Sequence, residues 1–559
     1  MRSRLLTLSA CLATLLPPTL GAGCAARAPK GARSVYTTGD VVAPPPPPPA
    51  IAVAEDAPPP PAAPPPTAAT ATAAIATAPT ATSATAAIAA PPEVPAGDIH
   101  AHVAPNPWTE TAVDHLSTFA ADVDTASYTY SRRAITGGAL PAPDAVRVEE
   151  FVNAFKYRFG EAPPGSPFAV VMDAAPSPFA PRHHVVRVGV ATPGKPAAQR
   201  APMNLVFLVD VSGSMDQPDK LGLAKESLRL LTRSLTKDDS VALVTYAGWT
   251  DVVLPATSGA DHRRILAAID RLTADGSTAM GSGLELAYAQ ARAHVRPGVG
   301  SRVIVLSDGD ANVGPTSLDD MLRIIDGGKR EGVTLSTIGF GMGNYRADLM
   351  EQLGDRGDGN NYYVDSQAAA RQLFTTDLVS MLEVAARDVK LQVDFDPAVV
   401  ARYRLLGYEN RAIADADFRK DAVDAGEVGV GHQVTALYEV QLTARATQTT
   451  PLGVVRIRHK PAGATPDAAA TEAVFAMSTG PEATLASAPA DLRFAVAVAG
   501  FADVLRGAED ARRWSLAQIA DLARATAGGD AARRELVALI EQAAALRGEP
   551  IATAAAAAR

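Results

Sequence analysis

Cysteine is nearly absent: the 559 residues hold two, Cys11 and Cys24, both at the very start. That excludes a disulfide framework and a thiolate zinc site further along. Aromatics are scarce, at 5% against a hydrophobic share of 47%, so much of the apolar content is alanine and part of the chain lacks core-forming bulk. There is no basic excess either. The 51 Lys and Arg face 60 Asp and Glu, a formal charge of −9, which gives no footprint for a phosphate backbone and argues against a nucleic-acid partner. No HExxH pair occurs, and no GxSxG elbow surrounds the Ser212 and Ser214 hydroxyls discussed below. Gly189-Val-Ala-Thr-Pro-Gly-Lys195 approximates a phosphate loop, but Pro196 stands where the magnesium-holding hydroxyl belongs, so no nucleotide is expected. His100, His102 and the His183-His184 pair read as exposed imidazoles.

What is present begins with an address. Arg2 and Arg4 precede an apolar run from Leu5 to Leu20, then Gly21-Ala-Gly23 and Cys24, the order of a bacterial export signal. The end of residues 1–24 resembles a lipobox, which makes Cys24 the candidate lipidation site and implies a membrane anchor, with an outer-membrane destination. Gly21 stands where such boxes carry Leu, so cleavage near Ala25 and a periplasmic or secreted protein is the alternative. Residues 25–98 are Pro, Ala and Thr with proline runs such as Pro44–Pro49. Such a stretch cannot bury a core and reads as a disordered, semi-rigid stalk on the order of 100–200 Å long.

Three folded segments are expected. Residues 99–200 mix helical and alternating patterns, an α+β flank. In 201–386, continuous apolar runs (Leu205–Val209, Val241–Thr245, Val303–Leu306, Val333–Ile338) alternate with amphipathic helices. That pattern predicts an α/β, doubly wound, mostly parallel sheet covered on both faces. Residues 387–559 begin as strands and end as helices, with Ser515/Gln518 as a capping box and Asp530 as an N-cap.

The candidate chemistry lies at strand ends. Asp210-Val-Ser212-Gly-Ser214 follows one apolar run, and Ser307-Asp308-Gly-Asp310 follows another. Between them a Gly/Ser/Thr loop carries Thr278 ahead of a helix. Ligands of open α/β sheets bind beyond the carboxyl ends of the strands. Two carboxylates and three hydroxyls make a hard oxygen set suited to Mg²⁺ or Mn²⁺, with Ca²⁺ also compatible.

This Asp210, Ser212, Ser214, Thr278, Asp308 series resembles the metal-ion-dependent adhesion site of von Willebrand factor type A domains. Ser117–Tyr128, Ala145–Asn153, Gly339–Tyr345 and Gly431–Glu439 are similar to bacterial exported proteins that carry such a domain between two family-specific flanking domains. The resemblance implies that the hydroxyls contact the metal, the aspartates act directly or through water, and a partner's Asp or Glu carboxylate completes the shell. It implies a non-enzymatic, envelope-anchored protein-binding module. The alternative is an accessory subunit of an envelope assembly in which the domain is mainly structural. A hydrolase with its catalytic groups in the flanks finds no nucleophile or acid/base constellation.

Overall fold

The computed structural model describes residues 98–121, 124–309, 317–423, 425–464, 468–478, 480–549 and 551. The export signal, Cys24, the stalk and Asp310 lie outside the described residues. The first flank contributes β1 (Thr109–Glu110), β2 (Leu116–Ala120), β3 (Ala169–Pro176) and β4 (His183–Ala191). The central segment contributes β5 (Met203–Asp210), β6 (Ser240–Tyr246), β7 (Thr250–Ser258), β8 (Gly300–Ser307), β9 (Val333–Phe340) and β10 (Asn361–Val364). The second flank contributes β11 (Val384–Phe395), β12 (Val400–Leu406), β13 (Val428–Gly429), β14 (Gln433–Leu442), β15 (Gly453–Pro461) and β16 (Thr471–Ala476).

The central sheet runs β10-β9-β8-β5-β6-β7, with only β7 antiparallel. Every residue of β5 and β9 is buried, as expected for strands covered by helices on both faces. Leu205, Phe207 and Val209 pack on one side with the helix Leu223–Thr232. Val206 and Leu208 pack on the other with the helix Met280–Arg292. This is the doubly wound sheet that the apolar runs call for.

The flanks correct the expectation of two separate domains at 99–200 and 387–559, because each of their sheets is built from both. One sheet is β1-β12-β14-β4-β3, in which β14 of the second flank pairs with β4 of the first from Gln433↔Ala191 to Gln441↔His183. In the other, β2 pairs with β11 from Leu116↔Asp394 to Ala120↔Lys390. The sheets face each other across Val186, Val188, Val190, Leu391, Val393 and Phe395. On the outer face of the first sheet, Val185 and Leu437 meet the helices Ala490–Leu505, Leu516–Ala527 and Ala531–Leu546. Strand alternation reveals which face is buried but not which distant strand is the neighbour, and the division along the chain hid the shared sheets.

The central domain is therefore inserted between β4 and β11. Its two connections meet: Ala201 N donates to Glu383 Oε2 at 3.1 Å, and Lys195 pairs with the same carboxylate. The lysine of the phosphate-loop look-alike is thus a structural ion-pair partner. Further contacts hold the inserted domain to the flanks. Arg132 grips Asp365 through two hydrogen bonds of 2.6 and 2.7 Å, and Asn361 N donates to Asp124 Oδ1 at 2.6 Å. The capping box at Ser515 and the N-cap at Asp530 are both formed. Of the four histidines expected to be exposed, only His102 is; His183 bonds Glu439 at 2.8 Å, and His100 stacks edge-on against Tyr130.

Candidate metal centre

β5 and β8 are adjacent and parallel, so their C-terminal ends deliver Asp210 and Asp308 to one rim. Both residues are fully buried. Asp210 is held by three donors: Ser212 N to Oδ1 at 2.9 Å, and Ser307 Oγ and Tyr246 OH to Oδ2 at 2.8 and 3.1 Å. Its backbone then turns through Ser212 into a short 3-10 turn, Gly213–Met215, which brings Ser212 Oγ and Ser214 Oγ to 3.0 Å of each other. Gly213 N, between those serines, donates to Gly276 O at 2.9 Å, and Asp275 N donates to Val211 O at 2.7 Å. These bonds fix the loop carrying Thr278, itself buried, against the serine turn. Gly276 has φ +81°, a conformation that glycine adopts without strain.

The five residues singled out in the sequence thus stand on one rim. Burial, then the facing Asp308, push the Asp210 carboxyl up to about 7. Two buried carboxylates, one of them with its ionisation opposed by the other, with hydroxyls beside them, fit a hard divalent cation, which favours the charged form of Asp210.

Sequence reasoning missed the groups behind this rim. Lys220, only 3% exposed, directs Nζ to Asp308 Oδ2 at 3.0 Å and to Asn344 Oδ1 at 2.7 Å. Asn344 Nδ2 donates to the same Asp308 oxygen at 3.0 Å. Lys220 lies in a π-helical turn, Pro218–Gly222, ahead of the helix Leu223–Thr232. A signal was available: Lys220 sits four residues before Ala224 and eight before Leu228, on the apolar stripe, where an exposed lysine does not belong. Its stem crosses Gly341 so closely that a Cβ there would lie 2.4 Å from both Cγ and Cε.

The loop carrying Asn344 is tied to the first described residue. Asp98 Oδ1 accepts from Gly343 N and Tyr345 N, both at 2.7 Å, and its Oδ2 accepts from Tyr130 OH at 2.6 Å. Beyond this loop a second carboxylate group, Asp124, Glu150 and Glu351, gathers at the junction of flanks and centre. Arg411 bonds Asp124 at 2.8 Å and Asp355 at 2.6 Å there. This cluster is an ion-paired joint between segments.

Sequence models of known families match three stretches: "von Willebrand factor" over residues 95–187, "von Willebrand factor type A domain" over 204–376, and "Uncharacterized protein YfbK, C-terminal" over 380–546. "Uncharacterized protein YfbK" of Escherichia coli (strain K12) is 37% identical over 467 residues, covering 78% of this chain and 79% of that protein. The chain belongs to the YfbK family. Its inserted domain is a von Willebrand factor type A domain, a module that mediates protein interactions, typically binds a divalent metal at its adhesion site and is generally non-enzymatic. The chain is also 28% identical over 180 residues to inter-alpha-trypsin inhibitor heavy chain H3 of Bos taurus, covering 30% of this chain and 20% of that one. A solved structure, von Willebrand factor type A from Catenulispora acidiphila, is 19% identical with a TM-score of 0.41, over 69% of this chain and 91% of that one.

Proposed function

We propose that this chain is a non-enzymatic binding protein of the bacterial envelope, tethered through lipid on Cys24, that captures an Asp or Glu carboxylate of a protein partner at the Asp210, Ser212, Ser214, Thr278, Asp308 site. Bound Mg²⁺ supplies a positive centre for that carboxylate, and Mn²⁺ or Ca²⁺ are compatible with the same ligands. Asp210 is held in orientation by Ser307 and Tyr246, and Asp308 by Lys220 and Asn344. The serine and threonine hydroxyls add ligands without adding negative charge.

The observation that carries this reading is the buried ammonium of Lys220 on Asp308. Two carboxylates balance a divalent cation, and the lysine leaves the loaded site with net positive charge. Such a site gains from an incoming anion. The same ion pair favours a second reading, in which the domain serves chiefly as a structural part of an envelope assembly, because Lys220 offsets part of the site's charge without any metal.

Pull-down from envelope extracts in Mg²⁺ and in EDTA separates the two. Capture lost in EDTA and in Asp210→Asn supports the metal-bridged receptor; capture indifferent to both leaves the structural role. Partition of the wild type into the detergent phase, with release of Cys24→Ser into the soluble fraction, tests the tether. A wholly soluble wild type refutes it.

A further inference from the structure

The rim of the metal centre carries an exposed indole. Trp249 is 58% exposed and is the one aromatic among the large hydrophobic side chains exposed in the described residues. It occupies the bend between β6 and β7, where its carbonyl accepts from Ala247 N at 2.9 Å. Its ring rests over Gly276: a Cβ at that glycine would stand 3.4 Å from the ring. Gly276 O is the acceptor for Gly213 N, between the two serines of the site. The indole is therefore built onto the loop pair that frames the candidate ligands.

The charge around it has one sign. Segments 211–219, 247–251 and 274–279 contain Asp216, Asp219, Asp251 and Asp275 and no Lys or Arg. Asp216, Asp251 and Asp275 are exposed, whereas Asp219 pairs with Arg133. A partner reaching this side of the rim delivers one carboxylate to the metal and sets the residues beside it against these acidic side chains and the aromatic face. An aromatic face attracts cations, neighbouring carboxylates reinforce the attraction, and both repel a second acid.

We propose that Trp249, with Asp251 and Asp275, forms a subsite for a Lys or Arg side chain, so that the partner segment pairs its metal-binding acid with a nearby basic residue. This rests on the metal-bridged reading above and names the partner's chemistry.

The test uses the detergent-solubilised full chain and fluorescein-labelled, end-blocked peptides with one Asp in a Gly/Ser background. Companion peptides place Lys, Leu or Glu two residues away, and anisotropy is read in Mg²⁺ and in EDTA. In Mg²⁺ the Lys peptide is expected to bind about five- to thirty-fold more tightly than the Gly/Ser peptide, and the Glu peptide more weakly. Trp249→Ala should bring the Lys advantage to within about twofold while leaving Mg²⁺ titration and thermal melting unchanged, and Trp249→Phe should keep part of it. Mg²⁺-dependent binding with no Lys preference, or a preference untouched by Trp249→Ala, overturns the subsite alone. Absence of Mg²⁺-dependent binding by any peptide overturns the receptor reading and the subsite together.

Discussion

Lys220 and Asp308 form a buried ion pair, Nζ to Oδ2 3.0 Å, with side-chain exposures of 3% and 0%. Removing one member of such a pair leaves a charge without compensation, at about 3–5 kcal/mol. Lys220→Met should therefore lower the melting temperature in EDTA, and Mg²⁺ should raise it by more than it raises the wild type, since the cation replaces the lost charge. Equal Mg²⁺ increments in the two proteins would show that the lysine does not act on the site. Gly341→Ala, whose methyl would collide with the Lys220 stem at a backbone φ of +73°, should destabilise by about 2 kcal/mol or more.

Asp210→Asn keeps the shape of the side chain and removes its charge. Calorimetric Mg²⁺ titration should show affinity reduced at least tenfold, about 1.4 kcal/mol. The metal-free protein should melt no lower than wild type, because repulsion with Asp308 is relieved. Thr278→Ala should weaken metal binding less. Undiminished Mg²⁺ binding by the Asn variant would remove Asp210 from the ligand set.

Replacing residues 201–383 with a short Gly/Ser linker should leave the flanks folded. The ends to be joined already meet at Ala201 N and Glu383 Oε2, 3.1 Å apart, and the interleaved sheets lie wholly outside the deleted segment. A cooperative melt with retained β-sheet circular dichroism is expected, at a cost of a few kcal/mol from lost contacts such as Arg132–Asp365. Failure to fold would mean that the flanks depend on the insert.

Stability should fall as pH rises through neutrality, in part because of Glu150. Burial, then the facing Glu351 and the adjacent Glu149, raise its pKa, while Ser127 N and the Arg147 charge oppose the shift. Asp124 and Arg411 complete the surroundings. A group with a raised folded-state pKa binds its proton more tightly in the native protein. Its contribution is complete below the ordinary glutamate value near 4.5 and is lost as pH climbs through the raised one. Melts between about pH 5 and 9 should show a shallower decline for Glu150→Gln than for wild type; parallel curves would assign the slope elsewhere.

Much of the central domain was legible because its strands are apolar on both faces and its helices striped; Asp210, Ser212, Ser214 and Asp308 follow two of those runs directly, and Thr278 lies in the Gly/Ser/Thr loop ahead of a helix. Lys220 was legible only as a lysine in register with the apolar stripe; its partner Asp308 was not, because the π-helical turn at Pro218 that carries the lysine inward leaves no mark in the spacing. Asn344, Ser307 and Tyr246 were hidden for another reason: they act by contact with Asp308 or Asp210 across strands, and spacing along one segment holds no record of that. The joining of the flanks was equally invisible, since β4 and β14 lie more than 200 residues apart and each reads as an ordinary half-buried strand.

Asp98 is where the described fold begins, and its carboxylate clasps two amides of the loop that carries Asn344. If the chain is tethered as proposed, traction from its N-terminal side would enter the described fold at this residue. Pulling there loads Gly343 and Tyr345, on either side of the amide that steadies Asp308. Mechanical tension on the anchor and grip on the partner would then meet in a single turn of backbone.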